Sequence, residues 1–139
     1  TIYKSTKIPA LHFFVGVPFG PGFIEHTAWM RFGGGQKLKD RIYGNMGLYS
    51  FDCFMSPPES GGWFKKKVES INQLKGEKIR FLGFGGKVME KIGMKIVMLG
   101  WKDIVPALEK DKISAVELDA PHNDVGLGFH KITKYNYEK

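Results

Sequence analysis

The segment from Lys75 to Gly93 constrains the fold of this chain more than any other stretch. It predicts a short strand at Lys78–Leu82, a glycine turn, and a helix at Lys87–Ile92. Arg80 falls inside the strand. A guanidinium beside a helix N-terminus, with its unpaired N–H groups, suits the capture of a carboxylate. On local sequence alone, an exposed strand residue is the simpler interpretation of Arg80.

Strands and helices alternate along the rest of the chain. The apolar, β-branched runs predict strands at Ala10–Val17, Leu48–Met55, Met94–Leu99 and Ile113–Leu118, with a short extended segment at Trp63-Phe64. Helical spacing predicts helices at Phe23–Phe32, Gln36–Tyr43 and Ile104–Lys110, capped by Asp103 in the last case, and a turn at Ile71–Leu74 capped by Ser70. This alternation predicts an α/β domain with a mostly parallel sheet, in which ligands collect at the carboxyl ends of the strands.

The positive net charge of the chain is compatible with several classes of partner and does not select one of them. A net charge of +7 permits nucleic acid, an anionic membrane or an acidic small molecule. Lys65–Lys67 is the only run of three lysines, and a solvated face explains it. The tryptophans Trp29, Trp63 and Trp101 lie in apolar runs, which predicts core positions rather than a surface on which bases stack.

The single cysteine and the first residues of the chain do not determine the cellular compartment of the protein. Cys53 is the only cysteine, so it forms no intrachain disulfide, and its apolar neighbours predict a small core residue. The sequence contains neither a secretory signal nor an apolar run of transmembrane length. Because the chain starts at Thr1, we expect a mature product or a fragment.

Two stretches have residue types that carry chemistry. Gly83–Gly86 follows a strand and precedes a helix, but it lacks the spacing of a dinucleotide or phosphate loop, and close packing of helix on strand explains its glycines. Glu117 and Asp119 lie on the same side of a strand end, ahead of Pro121–Asp124. These acids suit a hard cation or a general acid and base, or they are solvated acids of a loop, predicted at Asp119–Gly128.

Taken in order, several motifs resemble one family, the DctP-type extracytoplasmic solute-binding proteins of TRAP transporters. The helix ending at Gly93 and the segment near Glu117 are most similar to the branch that binds 2-oxo acids and related monocarboxylates, often with a cation. The matching pieces cover most of the chain and are Gly16–Gly20, Gly33–Gly35, Gly61–Phe64, Leu74–Gly76, Lys78–Arg80, Gly83–Gly93, Pro106–Lys110 and Ile113–Asp124.

The resemblance implies a noncatalytic receptor in the periplasm. Such a receptor is a two-lobed α/β clamshell that closes on an organic acid anion and delivers it to membrane permease subunits, with no nucleic acid as partner and with a homodimer as one form of assembly. The clamshell is incomplete in this chain: residues 1–47 match part of the first lobe, residues 48–115 the core of the second, and residues 116–139 the hinge crossing and the return.

Site residues carry over by position. Arg80 matches the arginine that pairs with the substrate carboxylate, and Glu117 matches an acid at the hinge that can hold a metal ion. Glu59 falls where this branch usually has glutamine, also near the metal, and Leu118 falls where it usually has tryptophan. Phe19, in the first matching motif, is a further expected substrate contact. The implied cofactor is a sodium or calcium ion bridging protein and substrate.

The departures from the family change the expected ligand, and two other classes of function stay open. Leu118 removes an aromatic wall, so we expect a different or larger ligand, whereas Glu59 adds a charge that favours a cation. The first alternative is a small metal-dependent α/β enzyme that uses Glu117 and Asp119 on a carboxylate or phosphate substrate. The second is a basic nucleic-acid-binding module.

Overall fold

The structure, a computed structural model, describes residues 8–14, 20–53 and 58–138. The chain divides into two compact units, Thr1–Met55 and Ser56–Lys139, and each is described by itself. Across the described ranges, every helix is too short or too polar to cross a membrane.

The described part of the first unit is helical. A 3₁₀ helix covers Pro9–Phe14, helix α1 covers Phe23–Phe32 and helix α2 covers Gly35–Gly44. The predicted break between the two α-helices is confirmed, because Gly34 has a φ of 87° and caps the start of α2. Glycine is favoured at positions whose backbone angles lie in this left-handed region.

Two predicted strands of this unit are wrong over the described residues. Pro9–Phe14 forms a 3₁₀ helix instead of the start of a strand, and proline's fixed φ suits that first turn. Leu48 to Cys53 has no regular structure, and Tyr49 is 93% exposed. Cys53 is also exposed. An extended segment needs a pairing partner, and no described residue of this unit forms a strand.

The second unit is built on a mixed sheet of five short strands in the order β3-β2-β4-β1-β5. The strands are β1 (Gly62–Phe64), β2 (Lys78–Arg80), β3 (Lys95–Ile96), β4 (Ala115–Val116) and β5 (Tyr135–Tyr137).

The prediction of a mostly parallel sheet holds for two of the four strand pairs. Strand β2 pairs parallel with β3 and β4, whereas β1 pairs antiparallel with β4 and β5. The parallel strands are joined by helices, as a parallel crossover requires, whereas β1 enters from a loop. As a result, the start of β1 lies at the same edge of the sheet as the ends of β2 and β4.

Three α-helices accompany the sheet: α3 (Gly83–Lys91), α4 (Trp101–Glu109) and α5 (Pro121–Gly126). Helix α5 lies inside the predicted loop, with Pro121 in its first turn, where a missing N–H costs nothing. Helix α4 is capped by Gly100 rather than Asp103. The predicted Ser70 cap is confirmed as a capping box with Gln73 in front of the 3₁₀ helix Ile71–Leu74.

Helix α3 begins four residues earlier than predicted, because its glycines belong to its first turn. A Cβ on Gly85 would lie 2.2 Å from the Phe81 ring, and one on Gly86 would lie 3.2 Å from the main-chain oxygen of Phe81. Only glycine lets the helix approach strand β2 this closely. Close packing is therefore the reason for these glycines.

Hydrophobic clusters cover both faces of the sheet. Trp63 belongs to one cluster and its neighbour Phe64 to the other, as alternation along β1 requires. Trp63 is thus a core residue, as predicted, but Trp101 is 60% exposed and is not. The first cluster is Trp63, Ile104, Ala107, Leu108, Ile113, Val116 and Phe129; the second is Phe64, Ile79, Phe81, Met94 and Ala115.

Replacing Gly62 with alanine tests the entry of β1 into the sheet. Gly62 has a φ of 128°, and a Cβ there would lie 3.1 Å from the main-chain oxygen of Val116. We expect Gly62→Ala to lower the free energy of unfolding by about 1–3 kcal/mol in urea denaturation. The control is Gly126→Ala, since that site is helical and open; equal losses in both variants would contradict this interpretation.

Candidate functional site

Three segments that are distant in sequence meet at one edge of the sheet. Arg80 ends β2 and pairs in register with Val116, which ends β4, so that Glu117 follows directly. Trp63 of the antiparallel β1 pairs with the same Val116, which brings the residues before β1 to this edge. The carboxyl ends of parallel strands are where α/β sheets bind ligands, and here the start of an antiparallel strand joins them.

Arg80 is the centre of this arrangement and is almost fully buried, with 4% exposure. Its Nη1 donates a hydrogen bond to the main-chain oxygen of Glu117 at 2.6 Å, and its Nε donates to that of Leu99 at 3.4 Å. The main-chain N–H of Glu117 donates in return to the Arg80 oxygen at 2.9 Å. The guanidinium is therefore fixed by main-chain groups of two loops.

The charge of Arg80 has no direct partner among the described residues. Burial lowers the pKa of the guanidinium, and the negative charges of Glu117, Asp124 and Glu59 oppose that shift. An arginine in this state stays protonated. Yet none of the ion pairs formed by the described side chains includes Arg80. A buried cation held by neutral carbonyls, with acids only at longer range, is prepared to receive an anion.

The predicted metal ligands lie in the same electrostatic neighbourhood. Glu117 is buried, with 5% exposure, whereas Glu59 is exposed in the loop before β1, and both charges act on Arg80. Carboxylate oxygens are the donors that sodium and calcium prefer, so the chemistry of the pair fits such an ion. Over the parts of the chain that the structure describes, no three His, Cys, Asp or Glu side chains form a metal-binding group. Further ligands would have to be other oxygen donors.

The remaining predicted residues have different positions. Leu118 is half-buried and packs against the first hydrophobic cluster. Phe19 lies outside the described residues. Asp119 does not join Glu117 as a free acid pair, because its carboxylate accepts hydrogen bonds from the Ala120 N–H at 2.7 Å and from the Asn123 amide at 3.0 Å. It holds the start of α5.

Asp124 is a residue of this neighbourhood that sequence reasoning did not single out. Its side chain is fully buried, and its Oδ2 accepts a 2.8 Å hydrogen bond from the Trp63 indole. Burial raises the pKa of Asp124, the hydrogen bond from Trp63 opposes this, and the charges of Asp119 and Glu59 add to it. The signal was present in Trp63, because a core tryptophan usually needs an acceptor for its N–H.

A mixed α/β sheet with a buried cation at the carboxyl ends of its parallel strands is the arrangement expected of a binding protein for anions. The chain belongs to the DctP family, the bacterial extracellular solute-binding proteins of family 7, whose model matches residues 2–139. The predicted family is therefore confirmed.

Relatives and solved structures agree with this assignment. The chain is 37% identical over 135 residues to a monocarboxylate 2-oxoacid-binding periplasmic protein from Nostoc sp., covering 97% of this chain and 37% of that protein. It is 39% identical, with a TM-score of 0.89, to a TRAP periplasmic solute-binding protein from Colwellia psychrerythraea with bound calcium and pyruvate, covering 99% of this chain and 42% of the other.

A second structure differs in the bound ion. The TRAP periplasmic solute-binding protein from Pseudoalteromonas atlantica holds sodium and pyruvate; it is 36% identical, with a TM-score of 0.85, over 99% of this chain and 42% of the other. The chain thus spans about two fifths of the length of the proteins it matches. The predicted periplasmic-binding-protein fold is confirmed for the part that it represents.

The raised pKa of Asp124 predicts how stability depends on pH. The folded state binds this proton more tightly than the unfolded state, so the contribution of Asp124 to the free energy of unfolding falls as pH rises from about 4 through the raised pKa. Asp124→Asn should flatten that part of the curve, as measured by urea unfolding between pH 4 and 7. The control is the exposed Asp103→Asn in the first turn of α4; an unchanged slope in Asp124→Asn would contradict the prediction.

Proposed function

We propose that this protein is a solute-binding receptor that captures an organic acid anion through Arg80. The observation that carries the proposal is the buried guanidinium, fixed by two main-chain carbonyls and without an ion pair among the described residues. An incoming carboxylate would form the charge-assisted hydrogen bonds that Arg80 does not make to the protein. Binding of this kind needs no bond to be made or broken, so the function is capture rather than catalysis.

The ligand that we infer is a 2-oxo acid or a related monocarboxylate. Support comes from the relatives, since the Nostoc protein is named for 2-oxoacids and the two solved structures hold pyruvate. Leu118 is the residue through which this receptor would accept a different or larger acid, because it lacks the aromatic ring of the related branch. Phe19, which lies outside the described residues, stays a predicted substrate contact.

A sodium or calcium ion would accompany the anion. Support comes from the ions in the two solved structures and from the carboxylates of Glu59 and Glu117 near Arg80. An ion there would offset the excess of negative charge that a carboxylate ligand adds to an acidic neighbourhood. Glu59 in place of glutamine strengthens the case for a cation.

Delivery to membrane permease subunits of a TRAP transporter in the periplasm completes the proposal. Family membership and the periplasmic relatives support it. In the complete protein, residues 1–47 would belong to the first lobe, residues 48–115 to the core of the second and residues 116–139 to the crossing between them. Assembly as a homodimer stays a prediction.

Replacing Arg80 tests the anchor. Arg80→Ala should weaken pyruvate binding at least tenfold in isothermal titration calorimetry, since a hydrogen bond to a charged group contributes about 1.5–3 kcal/mol. Arg80→Lys should recover only part of the loss, because lysine lacks the planar two-pronged donor. The control is Arg41→Ala, an exposed arginine of α2; pyruvate affinity that is equal in Arg80→Ala and in the wild type would rule out the anchor.

Replacing Glu117 tests the ion. In the wild type, sodium or calcium should increase the thermal stabilisation by pyruvate, because an ion bound with the ligand adds to it by mass action. Glu117→Gln should reduce this increase while keeping the shape of the side chain. The control is Glu109→Gln, an exposed acid at the far end of α4. A full ion effect in Glu117→Gln would exclude this residue as an ion ligand.

A further inference from the structure

We infer that Asp124 limits the affinity of the Arg80 site for anions by presenting a fixed, buried negative charge to the guanidinium. This inference rests on the proposed function and adds to it a residue that sets the strength of binding. Asp124 touches no ligand in this scheme. It acts through the electrostatic field at Arg80.

The position of Asp124 is fixed by packing. The carboxylate has no exposed surface, and its Oδ2 is tied to the Trp63 indole at 2.8 Å. Trp63 in turn lies in the hydrophobic cluster that includes Leu108 and Phe129, both fully buried. The carboxylate therefore cannot swing out to solvent when a ligand arrives, as a surface acid could.

The charge of Asp124 is weakly compensated by hydrogen bonds. Its second oxygen, Oδ1, is buried and receives no hydrogen bond from any described residue. The buried hydroxyl of Ser60, next to the exposed Glu59, likewise makes no hydrogen bond within the described ranges. Burial has the largest effect on the pKa of Asp124 and raises it, whereas the hydrogen bond from Trp63 and a main-chain hydrogen bond at Asp119 both lower it. A buried charge of this kind is little screened by water or salt.

The sheet places Asp124 near Arg80. The indole of Trp63 donates to Asp124. Trp63 pairs with Val116, and Val116 pairs with Arg80, so the side chains of these three strand residues project from the same face.

In agreement with this geometry, Asp124 is one of three acids whose charge acts on the guanidinium, together with Glu117 and Glu59. Glu59 is exposed, so solvent screens it, and Glu117 is the proposed partner of a cation. Asp124 is thus the acid whose repulsion of a bound carboxylate would persist when the site is filled. Removing its charge alone should strengthen anion binding.

Asp124→Asn separates charge from shape. The amide oxygen of asparagine can still accept the hydrogen bond from Trp63, while the negative charge is lost. We expect the dissociation constant for pyruvate, measured by calorimetry in the complete protein at fixed sodium concentration and at a pH above the raised pKa of Asp124, to fall about three- to tenfold. Glu109→Gln removes one charge at the exposed end of α4 and should leave affinity unchanged.

A neutral ligand shows whether the effect is electrostatic. Pyruvamide has the shape of pyruvate without its charge, so Asp124→Asn should change the ratio of pyruvate to pyruvamide affinity, whereas a merely structural disturbance would weaken both. If the asparagine variant does not fold, Asp124→Ser removes the same charge with a smaller side chain. Pyruvate affinity that is unchanged or weaker in a folded variant would overturn the inference.

The proposed function fails in a different way. If the wild-type protein and Arg80→Ala bind pyruvate and other monocarboxylates equally poorly, the receptor proposal is wrong. If the wild type binds pyruvate and Arg80→Ala does not, the receptor proposal holds. If Asp124→Asn then binds pyruvate with the same affinity as the wild type, only the role of Asp124 is wrong.

Discussion

One hydrogen bond, from Nη1 of Arg80 to the main-chain oxygen of Glu117, joins the ends of two neighbouring strands and fixes the charge of the site. It exists because β2 and β4 are parallel and in register, so that Arg80 and Val116 end side by side. The cost of burying the guanidinium is met by carbonyl dipoles at contact distance and, through space, by the negative charges of Glu117, Asp124 and Glu59. The main chain thereby holds the charge in the position that the proposed capture of an anion requires.

The acids around this charge serve different purposes. Asp119 holds the start of α5 through its own hydrogen bonds, and Asp124 supports the Trp63 indole inside the core. Glu59 and Glu117 lie at the same edge of the sheet, where Glu59 is exposed and Glu117 is buried. Equal residue types therefore have unequal roles, which are decided by burial and by the hydrogen bonds that each carboxylate already makes.

The sequence predicted best where local physics decides the structure. Helix α1 begins and ends at the predicted residues, because helical spacing and the glycines after Phe32 act within a few residues. Arg80 and Glu117 were singled out by their positions in predicted strands and by the family resemblance, and the structure brings both to one edge of the sheet. Predictions failed where distant partners decide. Leu48 to Cys53 looks like a strand but forms no strand pairing with a described residue, and Asp124 depends on Trp63, far away in the chain.

The antiparallel entry of β1 has a consequence for how the protein folds. Trp63 pairs with Val116 and with Asn136, so two long loops must close before the strand gains its hydrogen bonds. Contacts of such high order form slowly, since chain entropy is lost before the pairing energy is recovered. Glu59 lies three residues before β1, so its place at this edge of the sheet depends on the same step. We therefore expect the edge that carries Arg80 to be completed late in folding, after the parallel strands β2 and β4 have come together.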